Sequence, residues 1–391
     1  MKAAALLLGP VGVGLIGLLQ NVMQTGATVA AIGLSTVGTR QIAAAADSPQ
    51  EVNAVRRTLL GLTLILSLLG GLAFWGLSDW IATVVLQAPN QSGALAWIAL
   101  GVALTIASGS QAALLTGLRR IASLAWVTLG AGIAGTTLGI GAIAIWGVNG
   151  IPVLIVLGPL STFILGHVFV ARLNRVSTQP EPWGPLVRRG ADMLRMGAPF
   201  MLSGIVTILG LLMVRSLVQR ELGEAALGQF QAAWTVGMTY LGFVLGAMGT
   251  DFYPRLTAVH SDRAAARQLI NDQTEVALLL CSPILLGVLG CAPLVIWVMY
   301  ADTFGPAVSI LRWQMLGDIF KVISWPLGYL LLARGASATF LITETLGYGA
   351  FILVTMALMP QMGVMATGVG FLAMYAVYLP LVWGVAVRSI G

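Results

Sequence analysis

Long apolar runs without a single charge dominate this chain. Ala3–Thr39, Ile81–Leu118, Ile121–Ala171 and Thr345–Val387 contain no Asp, Glu, Lys or Arg. A membrane-crossing helix needs about 20 apolar residues to traverse roughly 30 Å of hydrocarbon, so the longer runs each hold two spans. Gly, Pro and charged interruptions then predict about eleven helices, at 12–38, 58–78, 93–117, 122–146, 151–171, 196–218, 227–250, 276–299, 308–332, 338–358 and 364–387. Turns are expected at Gln87-Ala88-Pro89-Asn90, at 147–152 and at 359–363.

Composition removes the competing reading of two or three soluble domains that 391 residues would otherwise allow. Residues are 58% hydrophobic and 9% charged, where a soluble chain carries about a quarter charged. The net charge of +6 does not point to nucleic acid, because the basic residues sort to one side of the spans. Arg40, Arg56, Arg57, Arg119, Arg120, Arg172, Arg175, Arg188, Arg189, Arg195, Arg255, Arg263, Arg267, Arg334 and Arg388 fall in alternate connections, and only Lys2 and Arg220 fall in the others. The basic side of a membrane protein is cytoplasmic, which predicts a multi-pass bacterial inner-membrane protein with a cytoplasmic C-terminus and Met1 near the outer face. No cleavable signal pattern precedes the first span, so an outer-face start implies a further upstream span or a late start. Cys281 and Cys291 lie in one predicted helix, about 15 Å apart, too far for a disulfide. With two His and no Cys/His cluster, neither metal nor cofactor is expected.

An offset of 211 residues aligns Gly17 and Gln20 with Gly228 and Gln231, Gly38-Thr39 with Gly249-Thr250, and Arg56 with Arg267. The polar stretch 172–195, with Pro180, Pro182 and Pro185, separates the matched halves. The expected architecture is all-α integral membrane: an N-terminal bundle at 1–171, a cytoplasmic linker at 172–195 and a C-terminal bundle at 196–391. Two pseudo-symmetric bundles around a central cavity are a secondary-transporter arrangement.

Four stretches carry a resemblance: Ala5–Ala45 (ALLLGPVGVGLIGLLQNVMQTGATVAAIGLSTVGTRQIAAA), Val214–Trp234 (VRSLVQRELGEAALGQFQAAW), Asp251–Val259 (DFYPRLTAV) and Leu311–Leu332 (LRWQMLGDIFKVISWPLGYLLL). Together they resemble O-antigen translocases, polysaccharide-transporter proteins of the multidrug/oligosaccharidyl-lipid/polysaccharide exporter superfamily, with the first helix of the family lacking. The resemblance implies a flippase that moves undecaprenyl-pyrophosphate-linked oligosaccharide to the periplasmic leaflet by alternating access, for O-antigen or related surface polysaccharide. It also implies membrane lipids, a polysaccharide polymerase and chain-length proteins as partners.

A doubly anionic pyrophosphate and a polar glycan crossing hydrocarbon require cations and polar groups in a cavity, and charges at membrane depth seldom face lipid. Arg215 in span 196–218 is the first candidate, since Arg binds phosphate oxygens bidentately; the bland alternative is snorkelling or pairing with Glu221 or Glu224. Span 308–332 contributes Arg312, Asp318 and Lys321, where Asp318 and Lys321 share a face and could simply pair and Arg312 lies near the outer end. Arg40 and Arg255 sit at cytoplasmic helix ends, where a loading site would take the pyrophosphate. Asp318, Glu344 and Asp251 are the carboxylates available for ion coupling or gating, with Glu344 alternatively a partner for Arg334 or Lys321. Gly14, Gly17, Gly33 and Gly38 suit close packing or bending.

Two other functions compete. A drug or cation antiporter of the same superfamily would bind through carboxylates and aromatics, whereas cations equal or outnumber carboxylates in these spans. A membrane polysaccharide polymerase or ligase would need catalytic residues on a long outer loop; the outer loops are short, and no enzyme activity is expected.

Overall fold

The computed structural model describes residues 2–45, 48–86, 89–173, 183–259, 262–334 and 336–390. Among them it is helical throughout: α1 (Lys2–Ala31), α2 (Leu34–Ala44), α3 (Pro49–Gly76), α4 (Ser78–Trp80), α5 (Ser92–Gly117), α6 (Ile121–Trp146), α7 (Ile151–Ala171), α8 (Trp183–Val259), α9 (Arg263–Gly290), α10 (Ala292–Met299), α11 (Gly305–Ala333), α12 (Ser337–Met362) and α13 (Ala366–Ile390). Among the described residues, seven stretches are long and apolar enough to cross a membrane; two of them, Ile121–Ala171 and Ala338–Arg388, each hold two helices separated by a turn. Their outward faces are greasy: Leu64 and Ile145 are each 73% exposed, which a hydrocarbon solvent tolerates and water does not.

Helix starts follow local chemistry. Ser48 accepts from Glu51 N–H ahead of Pro49 in α3, and Asp262 accepts from the N–H groups of Ala264 and Ala265 to start α9, each satisfying donors that a first turn leaves free. The expected turn at 147–152 contains the 3-10 segment Gly147–Gly150; at 359–363 the helix instead runs on to Met362, and the 3-10 turn is Gly363–Met365. Gln87 and Ala88 lie outside the described residues.

Several features differ from the sequence expectations. The span expected at 276–299 is two helices, α9 and α10, which meet at Cys291, so Cys281 lies in α9 and Cys291 between the two. The span expected at 12–38 is two helices, broken at Ile32 (φ 48°) and Gly33 (φ 66°). Glycine takes the left-handed conformation freely, but a β-branched residue there costs on the order of 1–3 kcal/mol. The loop expected between 218 and 227 is helix instead, kinked at Gly223 (φ 83°, ψ 176°): one glycine accomplishes the change of direction, so no loop is needed. Finally, the chain forms two compact units, Leu18–Ile208, and Leu209–Gly391 together with Met1–Gly17. This division falls inside α1 and α8 because the first turns of α1 pack on α8 near Gly228. Of the polar stretch at 172–195, residues 174–182 lie outside those described and 183–195 begin α8.

The core of unit Leu18–Ile208 gathers Leu34, Val37, Ile42, Leu59, Leu114 and Val170. That of the other unit gathers Phe252, Leu256, Ile270, Leu330 and Val382.

Candidate functional site

Polar side chains collect at three places in these apolar helices. The first is a seam between α1 and the part of α8 that follows the Gly223 kink. A Cβ on Gly14 would stand 2.7 Å from Gly228 N and 2.8 Å from Glu224 O, and one on Gly228 would overlap Pro10 O. Glycines therefore let two backbones touch. Arg215, 5% exposed, ties the seam: its NH1 donates to Gly17 O at 3.0 Å and its NH2 to Gln231 Oε1 at 2.7 Å. Gln231 Nε2 in turn donates to Thr235 Oγ1 at 3.1 Å. Arg215 is thus bonded internally, rather than snorkelling or pairing with Glu221 or Glu224. Gly14 and Gly17 serve the close packing expected of them, while Gly33 supplies the bend.

The second place is on α11. Gln314 and Asp318, four residues apart on one face, are both fully buried. Tyr240 OH donates to Asp318 Oδ2 at 3.4 Å, while Asp318 Oδ1 and both polar atoms of Gln314 have no partner among the described residues. Gly237 leaves them room, since a Cβ there would lie 3.6 Å from Gln314 Oε1 and 3.7 Å from Asp318 Oδ2. Lys321 Nζ lies 3.2 Å from Met238 Sδ and 5.7 Å from the Tyr375 ring centroid, within the electrostatic reach of Asp318 and Glu344. Glu344 lies within reach of the Tyr378 hydroxyl and of the Lys321 charge. The structure therefore brings Asp318, Lys321 and Glu344 together among Tyr240, Tyr375 and Tyr378.

Burying these groups makes the cluster sensitive to partial removal. Lys321→Met leaves two carboxyl groups without their cation and is expected to destabilise by about 3–5 kcal/mol. The double variant Asp318→Leu/Lys321→Met should cost less than the sum of the single changes. Thermal unfolding of the detergent-solubilised chain reads both; additive losses would mean that the groups do not interact.

Third, unit Leu18–Ile208 holds a cavity of about 270 Å³ at the α1–α2 break, lined by Gln24, Thr28, Ser35, Thr36, Thr105 and Ser110 together with small and apolar residues. The expected site residues are otherwise dispersed. Arg312 is exposed on α11, and Arg40 is exposed on α2. Arg255 is exposed beside Gln268 and Asp272 in a small hollow. The Asp251 side chain lies outside the described residues. Sequence reasoning missed Gln314 and the three tyrosines, whose signal was weak, and the hydroxyl-lined cavity. Gln231 was visible only as a repeat position. Among the described residues, no group of His, Cys, Asp and Glu could hold a metal ion.

Comparison with known proteins places this architecture. The profile of a polysaccharide biosynthesis protein family matches residues 4–309. The chain belongs to that family. It is 24% identical to the Lipid III flippase of Escherichia coli (strain K12), covering 98% of this chain and 92% of that protein, and matches the Shigella flexneri Lipid III flippase equally. Its fold is that of a multidrug resistance MATE family transporter in its inward-facing conformation, with a TM-score of 0.78 at 16% identity over 100% of this chain and 95% of the other. It is also that of the Lipid II flippase MurJ, with a TM-score of 0.68 at 13% identity over 97% and 87%. This member of the polysaccharide biosynthesis protein family is thus an all-helical, multi-pass membrane protein with a transporter fold.

Proposed function

We propose that the chain is a flippase, not an enzyme, moving undecaprenyl-pyrophosphate-linked oligosaccharide from the cytoplasmic to the periplasmic leaflet of the bacterial inner membrane. The observation that carries this reading is the match along 98% of the chain to a Lipid III flippase within the same family. The residues present suit the chemistry. Arg40 and Arg255 sit at helix ends on the basic, cytoplasmic side and meet the pyrophosphate first. Lys321 and Arg215 offer cations at membrane depth, and Arg312 one nearer the outer end. Asp318, Glu344 and Asp251 supply carboxylates for coupling or gating. Two helical bundles, with 172–195 and the C-terminus cytoplasmic, alternate access between leaflets. A polysaccharide polymerase and chain-length proteins receive the delivered lipid.

One observation favours a second reading, a drug or cation antiporter: Asp318 and Glu344 stand among three tyrosines, a setting that suits organic cations. Lys321 in their midst opposes it.

The test follows lipid-linked oligosaccharide on each leaflet in cells lacking this chain and any other such flippase. The expected result is accumulation on the cytoplasmic side, relieved by the plasmid-borne gene. Normal periplasmic delivery without the chain rejects the flippase reading; altered tolerance of cationic drugs in the same cells would select the antiporter.

A further inference from the structure

The hydroxyl-lined cavity at the break between α1 and α2 takes no part in the charged arrangements above. We infer that it is a subsite for one uncharged, polyhydroxylated ring: the sugar adjoining the pyrophosphate of the lipid-linked substrate. The identity of the carrier lipid rests on the flippase reading; the class of ring does not.

The lining states the chemistry. Gln24, Thr28, Ser35, Thr36, Thr105 and Ser110 supply the polar groups of the wall, and no charged side chain contributes to it. A pyrophosphate would call for Lys or Arg, a cation for carboxylates, and a polyprenyl tail for an apolar wall. Thr105 and Ser110 spend their hydroxyls on their own helix, donating to Gly101 O at 2.7 Å and Ala107 O at 2.8 Å. The side chains of Gln24, Thr28, Ser35 and Thr36 have no hydrogen-bond partner among the described residues. Gln24, Ser35 and Thr36 are exposed and Thr28 is half-buried, so these donors and acceptors stand accessible on the cavity wall to a ligand rich in both.

The backbone supports the same conclusion. Irregular backbone at membrane depth persists where it lines a cavity or is covered by protein. Here Ile32 and Gly33 both leave the helical region, and Gly33, Leu34, Ser35 and Thr36 at the start of α2 form part of the cavity wall. Strain at a β-branched residue points toward function at that spot. At about 270 Å³ the cavity falls just below the roughly 300–1,000 Å³ of pockets that take drug-sized ligands, so it accepts one ring rather than a chain of them.

Arg40 sets the polarity of the bound substrate. It lies four residues after Thr36 on α2, on the same face and about 6 Å further along the axis. It is exposed and, among the described residues, without an ion-pair partner. A pyrophosphate on Arg40 leaves its first sugar at Thr36 and Ser35.

The experiment compares binding of undecaprenyl pyrophosphate and undecaprenyl-pyrophosphate-linked N-acetylglucosamine to the purified full chain in nanodiscs. The wild-type chain should prefer the glycosylated lipid by about tenfold, the worth of one or two net hydrogen bonds. Thr28→Val/Ser35→Ala/Thr36→Val, nearly isosteric and therefore sparing the fold, should bring the two affinities together while leaving the bare lipid bound as before. Thr162→Val, which removes a hydroxyl bonded to Gly158 O outside the cavity, should keep the preference. Arg40→Gln should weaken both lipids alike. Equal binding of the two lipids by the wild-type chain, or an undiminished preference in the triple variant, overturns the subsite. Sugar-selective binding by a chain that fails to move lipid in cells would reject the flippase reading and leave the subsite standing.

Discussion

Arg215→Ala is expected to remove transport while leaving protein in the membrane. The substitution deletes two charge-assisted hydrogen bonds, to Gly17 O and Gln231 Oε1, each worth about 1.5–3 kcal/mol. It also leaves both acceptors buried in an apolar surrounding. A combined loss of about 3 kcal/mol corresponds to more than a hundredfold in any equilibrium that depends on the seam. Arg215→Lys should recover only part, because an ammonium cannot reproduce the forked geometry that reaches two acceptors at once. Gln231→Leu separates the two roles open to Arg215. If the guanidinium acts only as a strut between α1 and α8, losing Gln231 should slow export nearly as much as losing Arg215. If it also meets the pyrophosphate, Gln231→Leu should be clearly milder. Unchanged export by Arg215→Ala, measured as lipid-linked oligosaccharide reaching the periplasmic leaflet, removes both roles.

The second large effect is expected at Gly228. Its Cα faces the backbone of α1 so closely that a methyl group would overlap Pro10 O, and Gly14 meets Gly228 from the other side. A flexible side chain could turn away from a new methyl group; a backbone carbonyl cannot, so the helices must separate. Overpacking in a well-filled core costs about 1–3 kcal/mol, and a backbone collision lies at or above the upper end. Gly228→Ala should therefore lower thermal stability and transport together, and Gly228→Val should prevent accumulation of folded protein. Gly242 and Gly246 on the same helix provide the contrast, since a Cβ at either meets nothing within 4 Å. Alanine at those positions should be neutral or slightly stabilising, through the lower flexibility of the unfolded chain. Equal tolerance at Gly228 and Gly242 in a melting assay would mean that the seam is not a close contact.

Both predictions concern a place that the sequence indicated only obliquely. Arg215 was legible as a charge in an apolar run, and Gly17 and Gln231 were legible as repeat positions. What joins them is the packing of α1 on α8, and no one-dimensional pattern reports which carbonyl a guanidinium reaches. The α11 cluster was half visible. Asp318, Lys321 and Glu344 announce themselves as rare charges among apolar residues, but Gln314 and the tyrosines Tyr240, Tyr375 and Tyr378 are unremarkable until α8, α12 and α13 bring them together. The α1–α2 cavity was invisible, because Thr, Ser and Gln at membrane depth are common and their hydroxyls usually bond to their own helix, as those of Thr105 and Ser110 do.

The sequence by itself determined that this is a helical membrane protein, where most of its spans begin and end, which side is basic, and which family it resembles. Those properties follow from the cost of placing unpaired backbone and charge in hydrocarbon, a cost counted residue by residue along the chain. Only the tertiary structure decided that the first span is broken at Ile32–Gly33, that Gly223 kinks α8 in place of a loop, that Met1–Gly17 packs with the C-terminal unit, and that Arg215 bonds within the protein. Each of these depends on which backbone lies against which, and so on contacts between residues as far apart as Gly17 and Arg215.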